Sequence, residues 1–472
     1  MIGIHLRGKA LLILCAFLVI ADYVIAKVKV EKINETKLIS EEQLKKQIGF
    51  VVSPDSKHYA CVVNIDGKTC LIRDGVEGAR YDDIIIKSLR FSPNSQSLIY
   101  FAKKGVKYCA VFDGQEGPLY GNMYLGIVFS ADGKRLAYNL SEGGKFPLVV
   151  DGVVSSLGSG AVYKRFSPDG KHLAYAQINK NKVGLVVDDK VVADEVVAWE
   201  NHLKVGDFDD KVVVSFSKNG GRVSWGEFDG VKTIIYVDAK KDGVYDKVLH
   251  LPVFSENGRS VAYVAVKNNQ WYVVCNGNPE LIPDKAAIVV LSPDGNDVVY
   301  LGLSGGKCYI VKNGSKISSL YNDIDPYSIH FSGDSKHMMF SAKDNQNKWV
   351  LVVDGKEGAH YDSIVGDPKF SPKGGRYIYS ASRNGKQFVV VDGHESKGYD
   401  SAFGGVFSVD GAHYAYKARD GKKWLILLDD DEVLNVEDQK SEIVFESFNK
   451  FHFIEEKAGS VCLREVTFVF QE

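Results

Sequence analysis

The sequence lacks the features that mark several common protein classes. None of its seven cysteines forms a Cys-x-x-Cys pair, so the usual ligand spacing of a zinc site is missing. No apolar run reaches the roughly 18 to 20 residues that span a membrane, because the longest, Ala10 to Ile20, ends shortly before Asp22. Lysine and arginine number 58 against 60 aspartate and glutamate, a net charge of −2. This balance argues against a nucleic acid partner, which needs a basic field.

The first 26 residues have the pattern of a secretory signal peptide. Arg7 and Lys9 form a basic start, the apolar run follows, and Val24 to Ala26 offers short residues for cleavage after Ala26. An uncleaved anchor is the alternative. We therefore expect a periplasmic or secreted protein with no stable membrane span after signal cleavage.

Export would place the cysteines in an oxidising compartment. Cys61 and Cys70 lie on the two arms of one predicted hairpin, so a disulfide between them is conceivable. The favoured interpretation is that both are small buried side chains in strands.

A repeated unit, about 39 residues long, runs from near residue 50 to the C-terminus. Its clearest copy, Arg165 to Asp188, joins a Ser-Pro-Asp-Gly turn, a strand of alternating apolar residues, a polar hairpin loop and an apolar strand. The turn serine recurs eleven times, and an aromatic residue stands eight positions after it in nine copies. One step, from Ser167 to Ser217, is lengthened to 50 residues. Such spacing predicts one supersecondary unit stacked on itself.

A second motif follows the same period and is most complete at Val352 to Ile364, VVDGKEGAHYDSI. Its Asp-Gly pair predicts a hairpin turn, and the stretch around Tyr-Asp predicts a further strand. Together the two motifs give four antiparallel strands in each unit, which is the size of a propeller blade. The sequence therefore predicts an all-β fold, a β-propeller of about eleven four-stranded blades.

The turn FSPDG followed by LAYxA, and then VVDGxEGxxYD, resembles the WD-like repeat of bacterial TolB-type β-propellers over nearly the whole chain after residue 47. The resemblance implies the fold, but similar propellers serve as docking platforms, periplasmic assembly factors, enzyme lids and sometimes enzymes. The chain departs from TolB itself, because residues 27 to 50 are too few for the separate α/β domain that begins a TolB protein. The Trp-Asp dipeptide of eukaryotic WD repeats is also missing.

Eleven blades exceed the four to eight of a usual ring. We expect two adjoining propellers, residues 47–200 with about four blades and residues 201–472 with about seven. One large ring, with the long step as a mere loop, is the alternative. Residues 27–46 form an N-terminal segment that could close the last blade, and the stretch around Lys46 to Ser53 is a candidate for its missing strand.

Residue patterns that suggest catalysis have simpler explanations. Ser304 lies in a Gly-x-Ser-x-Gly sequence, but the sequence falls in a predicted hairpin loop rather than between a strand and a helix. The recurring Tyr-Asp pairs predict a turn device, since equivalent carboxylates around a ring do not form an asymmetric acid and base. We predict no catalytic residue, no metal ligand and no cofactor.

The expected function is that of an exported scaffold that binds a protein or another macromolecule. The predicted contact patch is the insertion in the long step, through Trp199, His202 and Asp207, because an insertion in a regular array usually forms a loop on one face. Packing of Trp199 between blades is the alternative for that residue. The alternative function is a glycan- or lactone-acting hydrolase with an axial carboxylate or metal site.

Overall fold

The computed structural model describes residues 27–39, 47–143, 146–155, 160–179, 182–193, 214–228, 231–439, 442–457 and 460–471. The chain forms eleven separate antiparallel sheets, numbered here as blades in chain order. Within a blade, strands that follow one another in the sequence pair with one another, so that each blade is a meander. The predicted all-β propeller fold is confirmed.

Each of the first ten blades contains four strand positions, from the inner strand to the outer strand. The strands of blades one to five are Gln47–Val52, Tyr59–Ile65, Lys68–Arg73, Val76–Tyr81; Asp83–Phe91, Leu98–Lys104, Lys107–Phe112, Gln115–Glu116; Asn122–Phe129, Leu136–Ser141, Leu148–Val150, Val153–Val154; Ala161–Phe166, Leu173–Asn179, Lys182–Val187, Lys190–Ala193; and Val214–Phe216, Val223–Phe228, Thr233–Val237, Lys240–Tyr245.

The inner strands of blades six and eight are split in two, and a 3₁₀ turn, Pro326–Ser328, separates the two parts in blade eight. The strands of blades six to ten are Lys247–Val248 with Val253–Phe254, Val261–Lys267, Gln270–Cys275, Asn278–Ile282; Lys285–Leu291, Val298–Ser304, Lys307–Lys312, Ser315–Lys316; Asp323–Ile324 with His330–Phe331, Met338–Lys343, Trp349–Val353, Lys356–Tyr361; Ser363–Phe370, Tyr377–Arg383, Lys386–Val391, His394–Glu395; and Ser401–Phe407, Tyr414–Asp420, Lys423–Leu428, Asp431–Val436.

The eleventh blade combines both ends of the chain. Its strands are Asp438–Gln439 with Val444–Ser447, Lys450–Lys457, Ser460–Gln471 and, as the outer strand, Lys27–Ile39. The outer strand runs antiparallel to Ser460–Gln471, from Lys27 opposite Gln471 to Ile39 opposite Val461. The stretch from residue 46 to 53, considered from the sequence for this role, instead supplies Gln47–Val52, which is the inner strand of the first blade. A strand order that returns to the N-terminus leaves no open step in the ring.

The blades form one ring. Side chains of blade four, such as Leu185, share a core cluster with Val214 and Trp225 of blade five, so the ring continues across the long step. Ile454 and Val461 of the eleventh blade pack in the same way on the first. The sheets thus follow the single-ring alternative. The predicted boundary between residues 200 and 201 lies in 194–213, outside the described residues, and remains a prediction.

Turns on the two faces of the ring explain the repeat. The Ser-Pro-Asp-Gly turns and the Asp-Gly turns lie on one face, which we call the turn face, because residues of the two turn types contact each other within a blade. The loops between second and third strands lie on the opposite face, which we call the hairpin face. Asp-Gly turns need positive φ at both residues, and Asp354 at +50° with Gly355 at +76° shows the type.

Two predictions about single residues can be checked against the sheets. Cys61 and Cys70 are both free and buried, and Cys61 lies opposite Ile72 rather than opposite Cys70, as expected for small core side chains. In the part of the chain that the structure describes, no helix has the length and apolar character that crossing a membrane requires.

Candidate functional site

The conserved-looking serine of each turn is used to hold the turn. In blade eight the Ser332 hydroxyl donates to Asp334 Oδ1 at 2.6 Å and accepts the backbone N–H of His337 at 3.0 Å. The serine is fully buried. Its proton therefore goes to a carboxylate within the turn, and the hydroxyl meets the backbone of His337 rather than its ring.

The histidine of the same turn pairs with an aspartate of the neighbouring turn. His337 Nδ1 lies 2.7 Å from Asp354 Oδ2, while Asp354 Oδ1 accepts the backbone N–H of Met338 at 3.0 Å. The sequence predicted that this histidine faces solvent; it is half-buried, and its aspartate partner was missed. A constant spacing of 16 or 17 residues from the histidine to an Asp-Gly pair was the available signal.

Serine, histidine and aspartate thus meet in four blades without forming a catalytic triad. In three other blades an arginine takes the place of the histidine and makes the same contact with the aspartate: Arg135 with Asp151, Arg222 with Asp238, and Arg376 with Asp392. A guanidinium cannot act as a general base, because it remains protonated. The arrangement is therefore structural in all seven blades.

The Tyr-Asp motif joins each blade to the next. Asp362 Oδ1 accepts Lys348 Nζ at 2.5 Å within blade eight, and Oδ2 accepts the backbone N–H of Asn384 at 2.9 Å in the hairpin loop of blade nine. The lysine hydrogen bond is the main cause that lowers the pKa of Asp362. The predicted role of this carboxylate as a turn device is confirmed.

The tyrosine of the motif packs between blades. Tyr361 meets Tyr379 of the next blade edge-on, with ring centroids 6.1 Å apart, and its hydroxyl donates to Glu395 Oε1 at 2.7 Å. Burial raises the pKa of Tyr379 to about 12. Similar edge-on pairs recur at four other blade junctions: Tyr81 with Tyr100, Tyr245 with Tyr263, Tyr321 with Phe340, and Tyr399 with Tyr416. The motif residues are therefore occupied in holding the ring together.

Ser304 lies at the end of a strand that enters a hairpin loop, as predicted, and its hydroxyl donates to Asp284 Oδ1 at 2.9 Å. Among the described residues there is no cluster of three or more His, Cys, Asp and Glu side chains placed to hold a metal ion. Trp199, His202 and Asp207, the predicted contact patch, fall within 194–213 and lie outside the described residues.

An apolar cleft on the inner wall of the ring is a candidate binding site that the sequence did not indicate. It has a volume of about 660 Å³ and lies along the inner strands of blades nine, ten, eleven and one. Its wall contains Phe50, Val51, Val406, Ile443 and Val444, with Lys369, Lys417 and Glu442 as charged neighbours. A concave apolar site with a few polar groups is the usual form of a ligand pocket.

Phe403 is the most prominent side chain of this cleft, and its side chain is 42% exposed. It meets Trp424 edge-on at 6.0 Å, and Lys417 Nζ lies 4.4 Å from the centre of the Trp424 ring. The inner strand has a bulge between Phe403 and Val406, and Gly404 there has a φ of +75°. The bulge, which needs glycine, exposes the aromatic ring on the wall. An apolar side chain of a bound molecule would find both a ring and a space beside it.

No family model matches the chain, and no curated protein matches it. Similar solved structures include TolB from Acinetobacter baumannii, at 14% identity and a TM-score of 0.27, covering 57% of this chain and 77% of that one. The Dos1 propeller has 14% identity and a TM-score of 0.32, with 65% and 92% covered. A candidate dipeptidyl aminopeptidase IV from Bacteroides ovatus has 13% identity and a TM-score of 0.35, with 81% and 67% covered. The chain's own sheets define it as a β-propeller protein of eleven blades.

Proposed function

We propose that this protein is an exported, non-catalytic scaffold that binds another protein through the inner wall of its ring and through the insertion at 194–213. The observation that carries the proposal is the use of the repeated polar residues. The serines, histidines, aspartates and tyrosines that would be candidates for chemistry hold turns and blade junctions, and they do so in the same way in many blades. A rigid ring of this kind presents surfaces rather than reacting groups.

The inner-wall cleft supports the protein-binding role. Phe403 is exposed beside a space of about 660 Å³, and large exposed aromatic residues beside a pocket are typical of protein contacts. Lys369 and Glu442 lie at the same cleft, so that charges of both signs flank the apolar wall. We expect the partner to insert an apolar side chain next to Phe403.

The insertion supplies the second proposed contact. Trp199, His202 and Asp207 lie in the one step of the array that exceeds its neighbours by about ten residues. Tryptophan is the residue type most enriched at the energetic centres of protein interfaces. Export by the signal at residues 1–26 would bring these surfaces into the periplasm or the medium.

Crosslinked capture from the host's extracytoplasmic fraction tests the proposal. The bait is the full chain, compared with a Phe403→Ala variant and with a Trp199→Ala, His202→Ala, Asp207→Ala variant. Phe448→Ala is the matched control, because this phenylalanine is 55% exposed but lies outside the cleft. We expect one saturable partner that the control retains and that either variant loses by at least about tenfold in affinity.

Two results would contradict the proposal. One is a partner that all four baits retain equally, and the other is the absence of any saturable partner. The export part is tested separately by the mass of the mature chain, which should begin at Lys27 and should be recovered outside the cytoplasm.

A further inference from the structure

A lysine and an aspartate 14 residues apart form a regular ion pair on the hairpin face. The lysine begins the third strand of a blade, and the aspartate follows its outer strand. The pairs are Lys68 with Asp82, Lys232 with Asp246, Lys348 with Asp362, and Lys386 with Asp400. In each pair the second carboxylate oxygen also accepts a backbone N–H from the next hairpin loop. The pairing neutralises both charges blade by blade.

The pairing fails at two successive blades, and it fails in opposite senses. In blade six the third strand begins with Gln270, so Asp284, 14 residues later, has no lysine. In blade seven the lysine is present as Lys307, but Asn322 stands where the aspartate belongs. Among the described residues neither Asp284 nor Lys307 has an oppositely charged partner within ion-pair distance. One negative and one positive charge are therefore left over.

The local hydrogen bonds keep both leftover groups in place. Asp284 accepts the Tyr309 hydroxyl at 2.6 Å and the Ser304 hydroxyl at 2.9 Å, and these two bonds lower its pKa, with the Tyr309 bond the larger cause. Lys307 Nζ donates to the side-chain oxygens of Asn322 and Asn345. A carboxylate has about four acceptor positions and an ammonium group three donors, so each retains capacity for a ligand.

Both leftover groups line the same cavity. Its volume is about 730 Å³, within the range of small-molecule sites, and it opens on the hairpin face between blades six and seven. Trp271 forms part of its wall and is half-buried against the core of blade six. The loop tip at Gly305 and Gly306 carries no side chains, and a Cβ at either position would meet nothing within 4 Å, so the entrance is open.

We propose that this cavity binds a zwitterionic ligand with an apolar side chain, that is, a free amino acid or a short peptide. The ligand's ammonium group contacts Asp284, its carboxylate contacts Lys307, and its side chain packs on Trp271. A ligand of this type restores the two missing ion pairs with one molecule. A charged group of only one sign would leave either Asp284 or Lys307 without compensation.

Titration calorimetry with the full chain tests the proposal. The probes are L-phenylalanine, the dipeptide Phe-Phe, N-acetyl-phenylalanine, which lacks the ammonium group, and phenylalanine amide, which lacks the carboxylate. We expect phenylalanine or the dipeptide to bind, and the stronger of the two identifies the source of the zwitterion. Each blocked derivative should bind at least about tenfold more weakly than its parent, as the loss of a charge-assisted hydrogen bond predicts.

Variants assign each charge to its residue. Asp284→Asn should weaken phenylalanine about tenfold or more and leave N-acetyl-phenylalanine unchanged, whereas Lys307→Gln should do the same with respect to phenylalanine amide. Asp362→Asn is the matched control, because it removes the equivalent carboxylate from an intact pair between blades eight and nine and should leave binding unchanged. Circular dichroism of each variant checks that the fold persists.

The proposal is overturned if the wild-type protein binds neither phenylalanine nor the dipeptide at millimolar concentration. It is also overturned if the blocked derivatives bind as tightly as their parents, or if Asp284→Asn and Lys307→Gln bind all probes like wild type. If Asp284→Asn does not fold, Lys307→Gln alone still decides the carboxylate contact.

Discussion

Glu35 Oε2 lies 2.5 Å from Arg464 Nη1, and this contact joins the first described strand of the chain to the last. Arg464 Nη1 also lies 3.0 Å from Glu455 Oε1, and both Arg464 and Glu455 are buried. Arg464 Nε and Glu455 Oε2 have no hydrogen-bond partner, and burial raises the pKa of Glu455. The closing blade therefore holds its outer strand through a partly satisfied buried charge cluster.

Removing the arginine should destabilise the ring more than removing the whole pair. Arg464→Met leaves Glu455 buried without its cation, and we expect a loss of about 3 to 5 kcal/mol in the free energy of unfolding. Arg464→Met combined with Glu455→Gln should recover about half of that loss, because no buried charge remains. Urea unfolding of both variants measures the difference. Equal losses in the two variants would show that Glu455 does not depend on Arg464.

Acid should weaken the junction between the last blade and the first. Hydrogen bonds from Lys450 and then Lys57 lower the pKa of Glu446 from 4.5 to about 2. The carboxylate therefore contributes stability that is fully present above pH 4.5 and is lost as the pH falls from 4.5 to about 2. Glu446→Gln should cost about 1 to 2 kcal/mol at pH 7 and progressively less below pH 4.5. The measurement is urea unfolding across this range.

A matched control for the acid prediction is Asp66→Asn, since the Asp66 side chain is 88% exposed and lies 3.6 Å from Arg80. Exposed pairs of this kind contribute little. Its unfolding curve should follow wild type at every pH. A difference between Glu446→Gln and wild type that stays constant down to pH 2 would contradict the assigned pKa.

The sequence predicted the blade but not the ring. Turns such as Ser332 to His337 could be recognised, because their geometry depends on residues within a few positions of one another. The closing contact of Glu35 with Arg464 joins residues 429 positions apart, and no local pattern marks it. The cleft beside Phe403 is equally hidden, because four blades from the two ends of the repeat build it. The leftover charges of Asp284 and Lys307 become visible only after the lysine–aspartate pairing has been seen elsewhere in the ring.

Exchanging histidine for arginine in a turn should stabilise the protein. At this position Arg135, Arg222 and Arg376 each lie over a phenylalanine of the next blade, at 5.0, 5.2 and 5.4 Å from the ring centre. His337 occupies the same position, 6.4 Å from the Phe370 ring. His337→Arg should keep the Asp354 contact, add a cation–π contact and gain about 0.5 to 1 kcal/mol in thermal unfolding measurements. A loss of stability would mean that the turn of blade eight differs from the other three.

The hydroxyl of a junction tyrosine should contribute less than its ring. Tyr361 is fully buried, and its hydroxyl donates to Glu395, which also accepts two bonds from Arg383. Tyr361→Phe removes one of three donors to Glu395, and we expect a cost of about 1 kcal/mol. Tyr361→Ala also removes the ring that packs on Tyr379 and should cost about 3 to 5 kcal/mol. Tyr327→Phe is the control, since Tyr327 is 79% exposed.

Serines in distant blades should contribute independently to stability. Ser92 and Ser332 are both fully buried, and each hydroxyl accepts the backbone N–H of the residue five positions later, at 2.9 and 3.0 Å. Either substitution by alanine should cost about 1 to 2 kcal/mol, because a buried N–H loses its acceptor. The two turns belong to blades two and eight, which share no contact, so the double variant should show the sum within about 0.5 kcal/mol. Urea unfolding of the two single variants and the double variant measures this. A clearly larger loss in the double variant would mean that distant turns are coupled through closure of the ring, so that each blade depends on the whole.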